Sequence, residues 1–122
     1  MNARKKRKIE ELLRRELSII ILYELKDPRP GFITVTGVEL SEDQRSARVR
    51  LIVRGSEDET KQTLRALHHA RGYIQSLIGK RLGLRYTPVL EFREDAEVLQ
   101  ALRLDKLIDE VRREDREFRE TP

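Results

Sequence analysis

Cysteine is absent from this chain of 122 residues, so disulfides, thiolate metal sites and a cysteine nucleophile are excluded. Histidine occurs only as the neighbouring pair His68-His69. On a helix such neighbours point about 100° apart and cannot chelate a metal together as an i,i+4 pair does. Aromatic residues are 5% of the chain. Of Tyr23, Phe32, Tyr73, Tyr86, Phe92 and Phe118, the patterning places Phe32 and Phe92 in a core, which leaves little material for an aromatic base-reading platform. Tyr73 has two readings, a ring packed on a sheet or a ring offered to a base.

Long apolar runs are missing as well. The longest, Leu17 to Tyr23, is interrupted by Ser18 and is far short of the roughly 20 residues that cross a bilayer. The start, Arg4-Lys5-Lys6-Arg7-Lys8, is basic and is followed by no signal-like apolar stretch, so a soluble cytoplasmic protein with no membrane partner is expected. GxxxxGKS/T, GxSxG and HExxH are all absent, and with 38% apolar against 39% charged residues a small core lies under an ionic surface. We therefore expect no enzyme, no cofactor, no metal and no small-molecule substrate. Asp105 and Asp109 stand i,i+4 apart but among Lys106, Arg112 and Arg113, as in a salt-bridged helix face rather than a Mg²⁺ site.

The formal net charge of +4 hides a division: basic residues prevail up to Leu90 and acidic ones after it. Between Glu59 and Glu91 no acidic residue occurs, while Lys61, Arg65, Arg71, Lys80, Arg81 and Arg85 lie there. Such a segment cannot neutralise itself through local pairs, so it binds a polyanion or remains a solvated helix face.

Ile9, Leu13, Leu17 and Ile20 fall at helical spacing within about 4–25, and the helix must end near Lys26, before Asp27-Pro28-Arg29-Pro30-Gly31. A strand follows through Phe32-Ile33-Thr34-Val35-Thr36 and Val38-Leu40. Its inward parity changes across Gly37, which predicts a β-bulge at Thr36-Gly37. After a Ser41–Gln44 loop, Ala47, Val49, Leu51 and Val53 alternate with Arg48, Arg50, Ile52 and Arg54. Ser56 and Glu59 form a capping-box pattern, helical periodicity runs to Leu82, and Gly83 closes it before Pro88. Val89 to Arg93 reads as a third strand. A last helix has the apolar stripe Leu104, Leu107, Ile108 and Val111, with a solvated tail beyond Arg112. Residues 1–95 are read as one domain and 96–122 as a charged helix and tail.

The fold class is α+β, and the order α-β-β-α-α-β is that of the type II KH domain, three strands with helices on one face. A KH module holds nucleic acid with a GxxG loop between its central helices, and none is present. Gly79 to Gly83 is a GxxxG at a helix end, one residue too long and in the wrong place. Between the helices stands Ala70-Arg71-Gly72 instead. With Glu24-Leu25-Lys26-Asp27-Pro28-Arg29, Gly31-Phe32-Ile33-Thr34-Val35-Thr36, Leu40-Ser41, Leu84-Arg85 and Pro88-Val89-Leu90-Glu91-Phe92, the chain resembles the ribosome-binding factor A family of bacteria over about 4–95.

The resemblance implies a non-catalytic factor in late maturation of the small (30S) ribosomal subunit, with 16S rRNA as partner, 5′-end processing as outcome and a part in cold adaptation. A monomer is expected. The candidate RNA contacts are Ala70, Arg71, Gly72, Lys80, Arg81, Arg85, Arg65, Lys26, Arg29, Arg48 and Arg50. Each has a plainer reading. The Ala70-Gly72 step either fits two short helices onto the sheet or turns Arg71 and free amides to a phosphate. Arg48, Arg50 and Arg54 grip phosphates or keep a sheet soluble; Lys26 and Arg29 contact RNA or flank a structural turn. The Arg4–Lys8 run is a flexible basic arm or only a polar terminus. Two other functions fit the same residues: a generic single-strand RNA-binding module, and a protein adaptor using the stripe from Leu104 to Val111.

Overall fold

A computed structural model describes residues 2–25 and 33–120, the side chains of 104–109 and 115–120 excepted. Lys26, Arg29, the Asp27–Gly31 turn and Phe32 lie outside the described residues, as do the side chains of Leu104, Asp105, Leu107, Ile108, Asp109 and Phe118. Helix α1 spans Ala3–Ile19 and begins on Asn2, whose side chain accepts the Lys5 amide at 2.8 Å. The Arg4–Lys8 run is therefore the first turns of a capped helix and not a flexible arm, because Asn2 satisfies one of the amides that would otherwise fray. Leu13 and Leu17 are buried, and the chain then widens into a π-helical turn, Ile20–Glu24, closed by the Leu25 amide on the Ile20 carbonyl at 3.2 Å. Ile20 and Ile21 are both buried in that turn.

Strands β1 (Ile33–Leu40) and β2 (Ser46–Val53) pair antiparallel, with Ile33 opposite Val53 and Leu40 opposite Ala47. The register slips between Val35 and Gly37, so Thr36 is the additional residue and the predicted bulge is present. Ile33 and Val35 before it, and Leu40 after it, all reach the core. Helix α2 (Glu57–His69) opens with the full capping box, in which the Glu59 amide donates to Ser56 Oγ at 3.2 Å. Helix α3 (Arg71–Leu82) ends at Gly83, whose φ of 58° is left-handed. Strand β3 (Val89–Glu94) then returns parallel to β2, giving sheet order β1-β2-β3.

One face of this sheet meets the helices. Val49, Leu51, Leu90 and Phe92 from the strands share a core with Leu13, Leu17, Leu67, Ile74 and Ile78. The outer strands each have an amide taken by a helix side chain: the Leu40 N–H donates to Glu10 at 2.8 Å and the Leu90 N–H to Gln75 at 3.1 Å. The architecture is the α+β, three-stranded arrangement expected for type II KH order. Helix α4 (Ala96–Glu120) starts at Asp95, which accepts the Val98 amide at 3.1 Å and the hydroxyl of the bulged Thr36 at 2.7 Å. The chain is helical through Glu120 where a solvated tail was expected beyond Arg112. Glu and Arg are good helix formers, so polarity there does not mean loss of helix.

Candidate nucleic-acid interface

Helices α2 and α3 are two segments of nearly continuous helix broken at one residue. Ala70 (φ −83°, ψ 0°) ends one and starts the other, its amide on the Ala66 carbonyl and its carbonyl accepting the Ile74 amide, both at 3.0 Å. The two helix starts differ. Helix α2 has its capping box and Glu57, Asp58 and Glu59 in the first turn, whereas α3 has neither a side-chain cap nor an acidic residue there. The amides of Arg71, Gly72 and Tyr73 consequently find no acceptor among the described residues.

The glycines separate by cause. A Cβ at Gly79 would stand 2.7 Å from Thr87 Oγ1, and Gly83 holds a left-handed cap, so the fold itself accounts for both. At Gly72 a Cβ would meet nothing within 4 Å, although glycine lowers helix stability by about 0.5–1 kcal/mol relative to alanine. The outer face of α2 carries Lys61, Arg65 and His69 at i,i+4 spacing, and that of α3 carries Gly72, Ser76 and Lys80 in the same phase. All six are exposed, and the two rows meet at Ala70. Lys61 has Glu57 at 3.9 Å; Arg65 and Lys80 have no ion pair among the described residues.

The candidates named from sequence divide accordingly. Arg65, Gly72 and Lys80 lie on this outer surface, with Ala70 half-buried at the break. Arg71 is half-buried, and its Nε is enclosed without a hydrogen-bond partner. Arg85 is exposed past the end of α3, its guanidinium 5.5 Å from the Tyr86 ring centre. Arg81 does not join them: it turns to α1 and lies between Glu16, at 3.3 Å, and Glu24. The hydrogen bond to Glu24 and then that to Glu16 hold its guanidinium above its ordinary pKa, while partial desolvation opposes them. Arg48 and Arg50 are on the sheet's other face, away from α1, α2 and α3 and beside the start of α4. There Arg50 is bound by Glu39 at 2.6 Å, and Arg48 stands in register with Glu39 on one side and Glu91 on the other. A pocket on that face is lined by Arg48, Arg50 and Arg93 but equally by Glu94, Asp95 and Glu97. The sheet face thus neutralises itself, whereas the α2–α3 face does not.

Lys61, His69 and Ser76 were not singled out as contacts from sequence; counting in steps of four from Gly72 finds Ser76 as readily as Lys80. Tyr73 is 55% exposed, so its ring is not packed on the sheet. Among the described residues no group of three or more His, Asp or Glu side chains could hold a metal ion, and no helix is long and apolar enough to cross a membrane.

Known proteins share this arrangement. A ribosome-binding factor A from Halothermothrix orenii is 45% identical over 120 residues, 98% of either chain. The crystal structure of ribosome-binding factor A from Thermus thermophilus superposes with a TM-score of 0.65 at 32% identity, covering 73% of this chain and 94% of that one. A Thermus thermophilus ribosome binding factor A fitted into the cryo-EM map of a 30S complex gives 0.56 at 28% identity, with 76% and 93% covered. The family described as Ribosome-binding factor A matches residues 5–108, and with a KH-like fold whose central helices break at Ala70 the chain belongs to the ribosome-binding factor A family.

Proposed function

We propose that this protein is a non-catalytic assembly factor that binds the free or immature 30S subunit through 16S rRNA and promotes late maturation, including processing of the 16S rRNA 5′ end. It acts in the cytoplasm as a monomer. Residues 1–95 make the contact, and 96–122 are a charged helix and tail. The observation that carries this reading is the α2–α3 surface, free of carboxylates from Thr60 to Leu90, with at its centre a glycine that no intramolecular contact requires. The Thermus thermophilus relative fitted into a 30S complex supports the choice of partner.

Lys61, Arg65, Lys80 and Arg85 supply phosphate contacts around the break at Ala70 and the amides of Arg71, Gly72 and Tyr73, unpaired among the described residues. The work is done by binding: a protein shifts an RNA from one conformer to another only by its differential affinity, about 1.4 kcal/mol per factor of ten. Slow exchange of RNA conformers at low temperature makes the factor most needed in the cold.

Sedimentation with free small subunits, large subunits and joined ribosomes at two salt concentrations tests the reading, with a Lys61→Glu, Arg65→Glu, Lys80→Glu variant shown beforehand to be folded. Salt-sensitive binding to free small subunits that the variant loses is expected. Binding that survives in the variant moves the interface elsewhere; no binding to small subunits at all refutes the function.

A further inference from the structure

Three tyrosines stand well out of the core, and they differ in what surrounds them. Tyr23, 80% exposed, lies in the π-helical turn beside Glu24. Tyr86, 65% exposed, has the Arg85 guanidinium over its ring. Tyr73 alone is on the carboxylate-free surface with an unoccupied ring: among the described residues it meets no other ring, no cation and no hydrogen-bond partner. Helical side chains lean toward the helix start, so the ring of Tyr73 inclines over the turn that contains Gly72. At Gly72 itself the surface is open: a Cβ there would meet nothing within 4 Å beyond its chain neighbours and its own helix backbone.

We propose that Tyr73 stacks on an unpaired base of the bound RNA, with Gly72 as the clearance for that nucleotide's sugar and phosphate and Arg65 and Lys80 as the flanking charges. This deepens the proposed function and rests on it for the identity of the RNA. A helical RNA offers phosphates and 2′-hydroxyls but keeps its base faces inside the stack, so an isolated ring gains nothing from it. An extruded or single-stranded nucleotide presents a free face, and any base has one. The protein then discriminates between RNA conformers by whether one base is still free. An rRNA fold that has buried the base loses the stacking contact while keeping its phosphates.

The chain has no tryptophan, so Tyr73→Trp introduces a single indole exactly where stacking is expected to quench it. The measurements are indole emission of Tyr73→Trp on addition of free small subunits, of a single-stranded RNA and of its duplex, and the affinity of Tyr73→Leu and Tyr73→Phe for small subunits at two salt concentrations. We expect quenching by subunits and by single strands but not by duplex. Tyr73→Leu should bind roughly 5- to 150-fold more weakly with the salt slope unchanged, and Tyr73→Phe should bind as the wild type does. Wild-type affinity in Tyr73→Leu, or equal quenching by single and double strands, overturns the inference and leaves the 30S reading intact. Quenching by single strands, with no binding of small subunits by the wild type, overturns the 30S reading and leaves the stacking.

Discussion

In Gly72→Ala the added methyl group enters open space, because beyond the chain neighbours and the helix's own backbone no atom lies within 4 Å of an ideal Cβ there. The backbone is already helical, so the variant keeps its conformation and gains helix propensity, about 0.5–1 kcal/mol in a helix interior and nearer the lower value in a first turn. For a domain of this size that is a rise in Tm of roughly 2–4 °C. Binding should change in the opposite sense. If the RNA approaches bare backbone at this point, the methyl group holds it off, and a loss of about 1.4 kcal/mol is a tenfold fall in affinity for free small subunits. Thermal unfolding and subunit binding on the same preparation measure both. Gly79→Ala is the comparison: its Cβ would be 2.7 Å from Thr87 Oγ1, so it should lose about 1–3 kcal/mol of stability, with binding lowered only as the folded fraction falls. A Gly72→Ala protein that binds as the wild type does refutes the role given to the glycine, and one that unfolds more easily refutes the account of open space around it.

Two further outcomes follow from hydrogen-bonded carboxylates. The Thr36 hydroxyl, and then the Val98 amide, hold the Asp95 carboxyl below its ordinary value of 3.8; a depressed native pKa adds stability above the unfolded pKa that is lost as pH falls through the native one. Wild type should therefore exceed Asp95→Asn in urea unfolding at neutral pH, and the difference should shrink below 3.8; a constant difference would contradict this. Arg81→Gln removes the cation that joins Glu16 and Glu24 to α3, where one Glu24 oxygen is already buried without a partner. Amide exchange should accelerate through Ile20–Glu24 and not in α2, and unchanged exchange would mean that another contact holds the π-helical turn.

Local signals in the sequence were reliable where the physics is local. The parity change across Gly37 locates the bulge, Ser56 with Glu59 locates a helix start, and Gly83 a helix end, since each depends on neighbours a few residues away. The site was legible only in part. Absence of carboxylates from Thr60 to Leu90 points to the right helices, but it does not say which cations face outward. Arg81 is claimed by Glu16 and Glu24, 65 and 57 residues earlier in the chain, and Arg48 and Arg50 by carboxylates on adjacent strands; neither pairing leaves a trace in local spacing. The π-helical turn is equally silent, because Leu17, Ile20 and Ile21 suit an ordinary helix just as well. At the N-terminus a signal was present and unread: Asn2, three residues before Lys5, is a cap, and a row of cations does not prevent a capped helix.

The bulge at Thr36 has an effect on what changes of length the chain can survive. Thr36 faces Asp95 because one additional residue shifts the strand's alternation at that point. Deleting the codon for Thr36 would therefore join Val35 and Gly37 in one regular ladder, with Val38 still opposite Val49 and Leu40 still opposite Ala47, so what is lost is the hydroxyl that fixes the start of α4, 59 residues further along the chain. Loss of a residue is thus expected to be tolerated in the Ser41–Arg45 loop and, within the strand that precedes it, at the bulge more readily than at the regularly paired positions on either side.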